Sequence, residues 1–168
     1  MSFSPVPRYS FRCVTDITSD FLKEIGVKLL MLDLDNTIAA YGQTKLSDDM
    51  ASWAQNIKTS GIELFIVSNS PRKDRVGSFA DALAVGHIGS AGKPSTRGLK
   101  AAMQTMRREP FESALVGDQI FTDTCAANSA GAVSIIVRPL DCRNPILAFR
   151  YLLEKPFRAM CKNRRCHL

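Results

Sequence analysis

The sequence lacks the features that mark membrane-spanning, secreted and repetitive proteins. No apolar run reaches the roughly 18 residues needed to span a bilayer. The first residues, MSFSPVPRYS, contain no apolar stretch of the signal-peptide type, and the chain has no internal repeat or low-complexity linker. We therefore expect a cytoplasmic globular protein, and 168 residues suit a single domain with its own core.

A disulfide framework is also not expected. The sequence has five cysteines, an odd number, and no secretion signal, which favours reduced thiols. Cys161, Cys166 and His167 stand close together, but their spacing is not a standard zinc pattern and a second pair of ligands is missing. We therefore expect no zinc site, and the sequence assigns these three residues no role.

Acidic residues are outnumbered by basic ones, 16 to 22, which favours anionic partners such as phosphates, nucleic acid or acidic lipid. The excess is concentrated after position 149, where basic residues alternate with apolar ones. Such a segment can lie on an anionic membrane surface. An ordinary helix that packs its apolar side on the sheet is the simpler interpretation. The basic residues concerned are Arg150, Lys155, Arg158, Lys162, Arg164 and Arg165.

Short apolar runs alternate with amphipathic stretches along the middle of the chain. The apolar runs predict five strands, at residues 27–34, 62–68, 83–88, 114–116 and 133–137. Four helices are predicted between them. One runs from Ser47 to Gly61, one begins at Ser70-Pro71, one begins after Ser95, and one covers residues 121–130. Strands that are apolar throughout are typical of a parallel sheet with helices on both faces. We therefore predict an α/β fold with a doubly wound parallel sheet in a three-layer α/β/α arrangement.

The gaps between the strands leave no room for a cap domain. About 35 residues separate Asp33 from Ser68 and about 25 separate Ser68 from Lys93, which is near the minimum for a crossover unit. An open site excludes water poorly unless a bulky substrate covers it. We divide the chain into an N-terminal arm (1–26), the α/β core (27–140) and a basic, partly apolar C-terminal segment (141–168).

Polar side chains follow the predicted strands where each strand ends, at the edge of a parallel sheet where ligands bind. Carboxylates gathered there would repel one another unless a cation lay among them, and oxygen ligands favour Mg²⁺. One carboxylate of a D-x-D pair can attack phosphorus, and the other can donate and accept the proton. Each residue alone also fits a turn or a helix cap, but their joint order favours catalysis. The residues are Asp33, Asp35, Ser68, Asn69, Lys93, Asp118 and Asp123.

Four segments resemble, in order, the motifs of the haloacid dehalogenase-like phosphatases: DLDNT (33–37), VSNS (67–70), GKP (92–94) and GDQIFTD (117–123). They are most similar to the capless YqeG branch, which is similar to mitochondrial phosphatidylglycerophosphatases. The resemblance implies a Rossmann-like fold. It also implies Asp33 as nucleophile, Asp35 as general acid/base, and Ser68 and Lys93 as phosphoryl ligands. The other implied roles are substrate-loop contacts from Thr37 and Asn69, and Mg²⁺ ligation by Asp33, the Asp35 carbonyl and Asp118, with Asp123 supporting the metal or Lys93.

Three functions are compatible with these patterns. The first is a Mg²⁺-dependent phosphomonoesterase acting on a bulky or membrane-associated phosphate, with phosphatidylglycerophosphate as the candidate by resemblance and peripheral contact with the inner face of a membrane. The second is a phosphatase of a soluble sugar phosphate or nucleotide. The third is a non-catalytic module that binds RNA or an anionic membrane. The complete motif set argues against the third, and nucleic acid is not expected because no aromatic-rich strand is present for stacking bases.

Overall fold

The computed structural model describes residues 4–161 and 163–164. The strands are β1 (Tyr9–Ser10), β2 (Leu29–Leu32), β3 (Glu63–Val67), β4 (Gly86–Ile88), β5 (Ser113–Gly117), β6 (Val133–Ile136) and β7 (Asn163–Arg164). The helices are α1 (Ser19–Glu24), α2 (Asp48–Thr59), α3 (Lys73–Leu83), α4 (Arg97–Thr105), α5 (Cys125–Ala130) and α6 (Pro145–Ala159). Short 3₁₀ turns lie at Val14–Asp16 and Pro110–Glu112, and a π-helical turn at Ile120–Thr124 precedes α5.

The described strands form one parallel sheet in the order β4-β3-β2-β5-β6-β1-β7. Strand β2 is buried at every position, and its alternate side chains point into two apolar layers. Leu30 and Leu32 face the layer of α1, α2 and α3, whereas Leu29 and Met31 face the layer of α4 and α5. The predicted three-layer α/β/α fold is therefore confirmed. Between β2 and β5 the described chain contains strands β3 and β4 and helices α2, α3 and α4, with no inserted cap.

Among the predicted boundaries that differ from the structure are the starts of α3 and β4. Helix α3 begins at Lys73 rather than at Ser70-Pro71, because the Ser70 N–H donates to Ser68 Oγ (3.0 Å) and keeps this segment as a loop. Strand β4 begins at Gly86 rather than at Leu83, which still belongs to α3. Ala84, with φ at 51°, ends that helix in the left-handed conformation.

The segment predicted as an N-terminal arm packs against the core over its described part. Strand β1 pairs with β6, so the segment extends the sheet. Phe11, Val14 and Ile17 are buried, and the Trp53 indole N–H donates to the Ile17 carbonyl (2.8 Å). The apolar side chains of this segment therefore contribute to the same core as α2. The three-part division of the chain remains a prediction.

Helix α6 packs only part of its apolar surface against the core, in contrast to the simpler interpretation of its sequence. Its inward side carries Glu154, which is 1% exposed, and Arg158, whose side chain is 12% exposed. Leu147, Tyr151 and Phe157 are half-buried on the same side, and the Phe157 ring packs edge-on against Phe121. Apolar side chains occupy its outer side and are 51–71% exposed: Ile146, Phe149, Leu152 and Leu153. Among the described residues, no helix is both long enough and apolar enough to cross a bilayer.

Three of the described cysteines, Cys13, Cys125 and Cys142, are free thiols. At these three positions the structure is consistent with reduced thiols. Cys166 and His167, which the sequence analysis considered together with Cys161, lie outside the described residues.

Candidate active site

The predicted site residues meet because β3, β2 and β5 are neighbours in the sheet. Asp33 follows β2, Ser68 follows β3 and Asp118 follows β5, so all three lie at the carboxyl edge. The Asp33 N–H donates to the Val116 carbonyl (2.9 Å), which continues the strand ladder one residue beyond β2. The position of Asp33 is therefore set by the rigid centre of the sheet.

Asp33 is a buried carboxylate whose two oxygens are both held. The Lys93 ammonium donates to Oδ1 (2.6 Å), and the Thr37 hydroxyl donates to Oδ2 (3.1 Å). Burial raises the pKa of Asp33 to about 6; Lys93 opposes this shift and Asp123 adds to it. At neutral pH Asp33 is thus mostly ionised, as a carboxylate nucleophile must be.

Lys93 lies between two carboxylates inside the site. Its Nζ is 2.6 Å from Asp33 Oδ1 and 2.7 Å from Asp123 Oδ1, and the residue is 5% exposed. Burial lowers the pKa of Lys93, but the charges of Asp123 and Asp33 outweigh burial and raise it above its ordinary value. Lys93 therefore stays positively charged at neutral pH, next to the position where a phosphoryl group would meet Asp33.

Asn69 fixes the backbone of Lys93. The Asn69 amide donates to the Lys93 carbonyl (2.9 Å), and the Lys93 N–H donates to Asn69 Oδ1 (2.8 Å). Ser68 is 1% exposed. Its hydroxyl oxygen accepts the N–H of Ser70, and the residue lines the same cleft as Lys93. Asn69 thus orients the lysine, while the Ser68 hydroxyl hydrogen remains available to a ligand.

Three buried acids form a candidate cation site. Asp33, Asp118 and Asp123 each place one carboxylate oxygen within 4.8 Å of the others. Burial, followed by the charges of Asp33 and Asp123, raises the pKa of Asp118 well above its ordinary value. In the described part of the chain, Lys93 is the cation paired with this cluster, so three carboxylates face one ammonium. A divalent cation with a preference for oxygen ligands fits this unbalanced charge.

Gly117 provides the space that Asp123 occupies. A Cβ at Gly117 would lie 2.3 Å from Cγ and from Oδ2 of Asp123, far inside van der Waals contact. The Gln119 N–H donates to the same Oδ2 (3.1 Å). The glycine in the GDQIFTD segment is therefore required by close approach of the carboxylate.

Asp35 lines the cleft but has a different partner from Asp33. Arg75, on α3, donates from Nε (3.1 Å) and Nη2 (3.0 Å) to Asp35 Oδ1. The same guanidinium donates to the carbonyls of Ala40 and Gln43. Asn36, with φ at 66°, follows Asp35 and begins a tight loop in which its N–H donates to the Ala39 carbonyl (2.7 Å). The sequence analysis missed Arg75, because nothing distinguishes it from the solvated charges of a helix surface.

The mouth of the cleft is formed by residues that the sequence analysis did not select. Tyr41 is 42% exposed, and Arg150 Nη1 donates to Gln119 Oε1 (2.6 Å). Arg150 reaches the cleft from α6, over a hundred positions from Asp33, and belongs to no motif. The cleft is lined by Asp33, Asp35, Tyr41, Ser68, Asn69, Ser70, Pro71, Lys93, Gln119, Thr122, Asp123 and Arg150.

A family model of haloacid dehalogenase-like hydrolases matches residues 13–131. The chain belongs to this family. It is 32% identical over 124 residues to "Probable phosphatase YqeG" of Bacillus subtilis, which covers 74% of this chain and 72% of that protein. The expected family, its YqeG-like branch and a phosphatase activity are thereby confirmed.

Solved structures resemble the fold of this haloacid dehalogenase-like phosphatase. An uncharacterized protein from Listeria monocytogenes has a TM-score of 0.56 at 16% identity, covering 77% of this chain and 99% of that one. A 3-deoxy-D-manno-octulosonate 8-phosphate phosphatase from Moraxella catarrhalis, in complex with magnesium ion, phosphate ion and KDO, has a TM-score of 0.55 at 19% identity. That match covers 88% of this chain and 82% of the other. At such low identity these likenesses concern the fold alone.

Proposed function

We propose that the protein is a Mg²⁺-dependent phosphomonoesterase that forms an aspartyl-phosphate on Asp33. Its proposed substrate is a bulky or membrane-associated phosphate, with phosphatidylglycerophosphate as the first candidate. The observation that carries this proposal is the buried Asp33 carboxylate, which meets Lys93 at 2.6 Å in an uncapped cleft. An open cleft of this kind suits a substrate that itself covers the reacting group.

The proposed chemistry consists of two displacements at phosphorus. A carboxylate oxygen of Asp33 forms a bond to phosphorus while the bond from phosphorus to the leaving oxygen breaks. Asp35 donates its proton to that oxygen, then takes a proton from the water that attacks the aspartyl-phosphate and releases inorganic phosphate. Both bonds from Arg75 go to Oδ1 of Asp35, which leaves Oδ2 to carry the proton.

The remaining site residues bind charge. Lys93 and the Ser68 hydroxyl would hold the phosphoryl oxygens, whose charge grows in the transition state. Thr37 orients Asp33 through its 3.1 Å hydrogen bond. Asp33, Asp118, Asp123 and the Asp35 carbonyl would hold Mg²⁺. The bound ion would supply positive charge that offsets the carboxylates and the phosphate.

Helix α6 supports a membrane-associated substrate. Its outer side exposes Ile146 at 71% and Phe149 at 62%, while Arg143 and Lys155 beside them are exposed cations. An exposed apolar helix face flanked by cations matches a surface of anionic lipid. We therefore infer a cytoplasmic protein that contacts the inner face of a membrane peripherally. Arg150 on the same helix lines the cleft, so this contact would bring the cleft to the lipid head groups.

The test is phosphate release from phosphatidylglycerophosphate in mixed micelles, with and without Mg²⁺, beside the soluble ester glycerol 3-phosphate. Asp33→Asn is the control for the proposed nucleophile. We expect metal-dependent release that is much faster from the lipid and absent from the variant. Release from the soluble ester alone would keep the chemistry, discard the lipid substrate and favour a phosphatase of soluble phosphates. Normal release by Asp33→Asn would refute the proposed mechanism.

A further inference from the structure

We propose that Arg150 binds a second anionic group of the substrate, carried by the leaving group beside the scissile phosphate. This inference rests on the proposed phosphomonoesterase function and assigns a subsite in the same cleft. The ligand chemistry is a phosphate or phosphodiester, which the guanidinium of arginine matches with two parallel hydrogen bonds.

The other cations near the site already have acidic partners. Lys93 is bound to Asp33 and Asp123, and Arg75 is bound to Asp35. Arg150 differs, because within residues 4–161 and 163–164 no carboxylate lies within 4.0 Å of its guanidinium. Its hydrogen bond goes to the neutral Gln119 side chain. Among the described residues that line the cleft, Arg150 is therefore a cation without an ion-pair partner.

A purely structural role fits Arg158, on the same helix, better than Arg150. Arg158 is 12% exposed in its side chain, pairs with Glu154 and donates to the carbonyls of Asp118 and Val137. These contacts join α6 to the ends of β5 and β6. Arg150 is only half-buried and lines the open cleft, and its hydrogen bond to Gln119 uses one of the five N–H groups of the guanidinium.

Gln119 sets the spacing between the two anion positions. Its N–H donates to Asp123 Oδ2 (3.1 Å), and its side-chain oxygen accepts from Arg150 (2.6 Å). Gln119 thus lies between Arg150 and Asp123, which belongs to the acidic cluster around Asp33. We assign the group bound at Arg150 to a part of the substrate other than the phosphoryl group that contacts Asp33 and Lys93. It belongs to the part of the substrate that leaves.

The experiment compares two soluble esters that differ by one anion. Glycerol 3-phosphate carries the reacting phosphate alone, whereas deacylated phosphatidylglycerophosphate adds a phosphodiester. For Arg150→Ala we expect kcat/KM to fall roughly tenfold or more further for the second ester than for the first, chiefly through KM. Arg150→Lys should recover part of the difference. Arg108→Ala, at a half-buried arginine paired with Glu63 at the amino end of β3, is the matched control and should leave the ratio unchanged.

Equilibrium binding separates this subsite from the catalytic proposal. Calorimetry with Asp33→Asn protein and Mg²⁺ should show tighter binding of the two-anion ester, and Arg150→Ala in that background should remove the preference. Equal losses for both esters would overturn the subsite and leave Arg150 as a residue that positions Gln119. If wild-type protein releases no phosphate, the proposed function fails, but the binding preference still decides the subsite.

A further pair of measurements identifies the source of the second anion. Phosphatidylglycerophosphate in micelles tests a lipid head group, and fructose 1,6-bisphosphate beside fructose 6-phosphate tests a soluble bisphosphate. Dependence on Arg150 with the lipid supports the head group. The same dependence with the bisphosphate alone supports a soluble source. Dependence with neither refutes a second-anion site.

Discussion

Replacement of Lys93 by methionine tests whether the acidic cluster depends on this single ammonium. Methionine keeps much of the lysine volume but removes the charge that lies 2.6 Å from Asp33 and 2.7 Å from Asp123. Removing one partner of a buried ion pair costs about 3–5 kcal/mol, because the other charge stays buried without compensation. Two carboxylates lose their partner here. We therefore expect the free energy of unfolding of the metal-free protein to fall by about 3–5 kcal/mol at neutral pH.

The matched control is Lys28→Met. Lys28 Nζ lies 2.5 Å from Glu112 Oε1, a comparable ion-pair distance, but its side chain is 57% exposed. Loss of an exposed pair costs about 0–1 kcal/mol. Denaturant unfolding of both variants with chelator present measures the difference. A loss for Lys93→Met no larger than that for Lys28→Met would refute the electrostatic reasoning.

The same variant has two further expected properties. In mildly acidic solution the carboxylates near position 93 can take up protons, so the stability loss of Lys93→Met should shrink as pH falls. Turnover should fall by about 10²-fold or more, as for loss of an oxyanion donor. A near-normal rate would show that Lys93 does not bind the phosphoryl group.

Asp33→Asn should abolish turnover, because an amide cannot attack phosphorus. The metal-free variant should unfold at the same temperature as the wild type or at a higher one, because the variant lacks the repulsion between Asp33 and the carboxylates of Asp118 and Asp123. A clearly lower temperature would contradict this electrostatic account. Gly117→Ala should lower the free energy of unfolding by about 1–3 kcal/mol and weaken Mg²⁺ binding in calorimetry, whereas Gly42→Ala, with nothing within 4 Å of its Cβ, should do neither. The pKa of Asp33 rises from 3.8 to about 6 on folding. As pH increases from ~4 to ~6, ionisation of Asp33 should therefore lower the free energy of unfolding of the metal-free protein by about 3 kcal/mol. A free energy of unfolding, measured with denaturant, that does not change over this pH range would contradict this.

The central fold could be predicted because its signals are local. Each core strand is a short apolar run, and Ser47 accepts the Met50 N–H at the start of α2, as its sequence position indicates. Strand β1 carries no such signal. Two residues, Tyr9–Ser10, have no measurable periodicity, and their place in the sheet depends on pairing with β6 more than a hundred positions away. The place of the N-terminal segment in the sheet therefore follows from the folded structure and not from its own sequence.

The residues of the candidate site likewise fall into those that could be predicted from the sequence and those that could not. Asp33, Ser68 and Asp118 could be predicted because each directly follows a strand, and neighbouring parallel strands end at one edge. Arg75 and Arg150 could not, because they come from helices where a charged residue is normally solvated. Their roles follow from the direction in which α3 and α6 face, which is set by packing over long sequence separations.

Helix α6 connects two properties that the sequence analysis considered separately. The interpretation of residues 141–168 as an ordinary packed helix assumed that apolar side chains would face the sheet. Glu154 and Arg158 take that position because Arg158 satisfies the carbonyls of Asp118 and Val137, which end β5 and β6 at the site. Four apolar side chains are left facing outward on the opposite side of the helix: Ile146, Phe149, Leu152 and Leu153. The contact that holds the helix to the candidate metal site therefore also determines which face of the helix is exposed, so mutations at Arg158 should affect both.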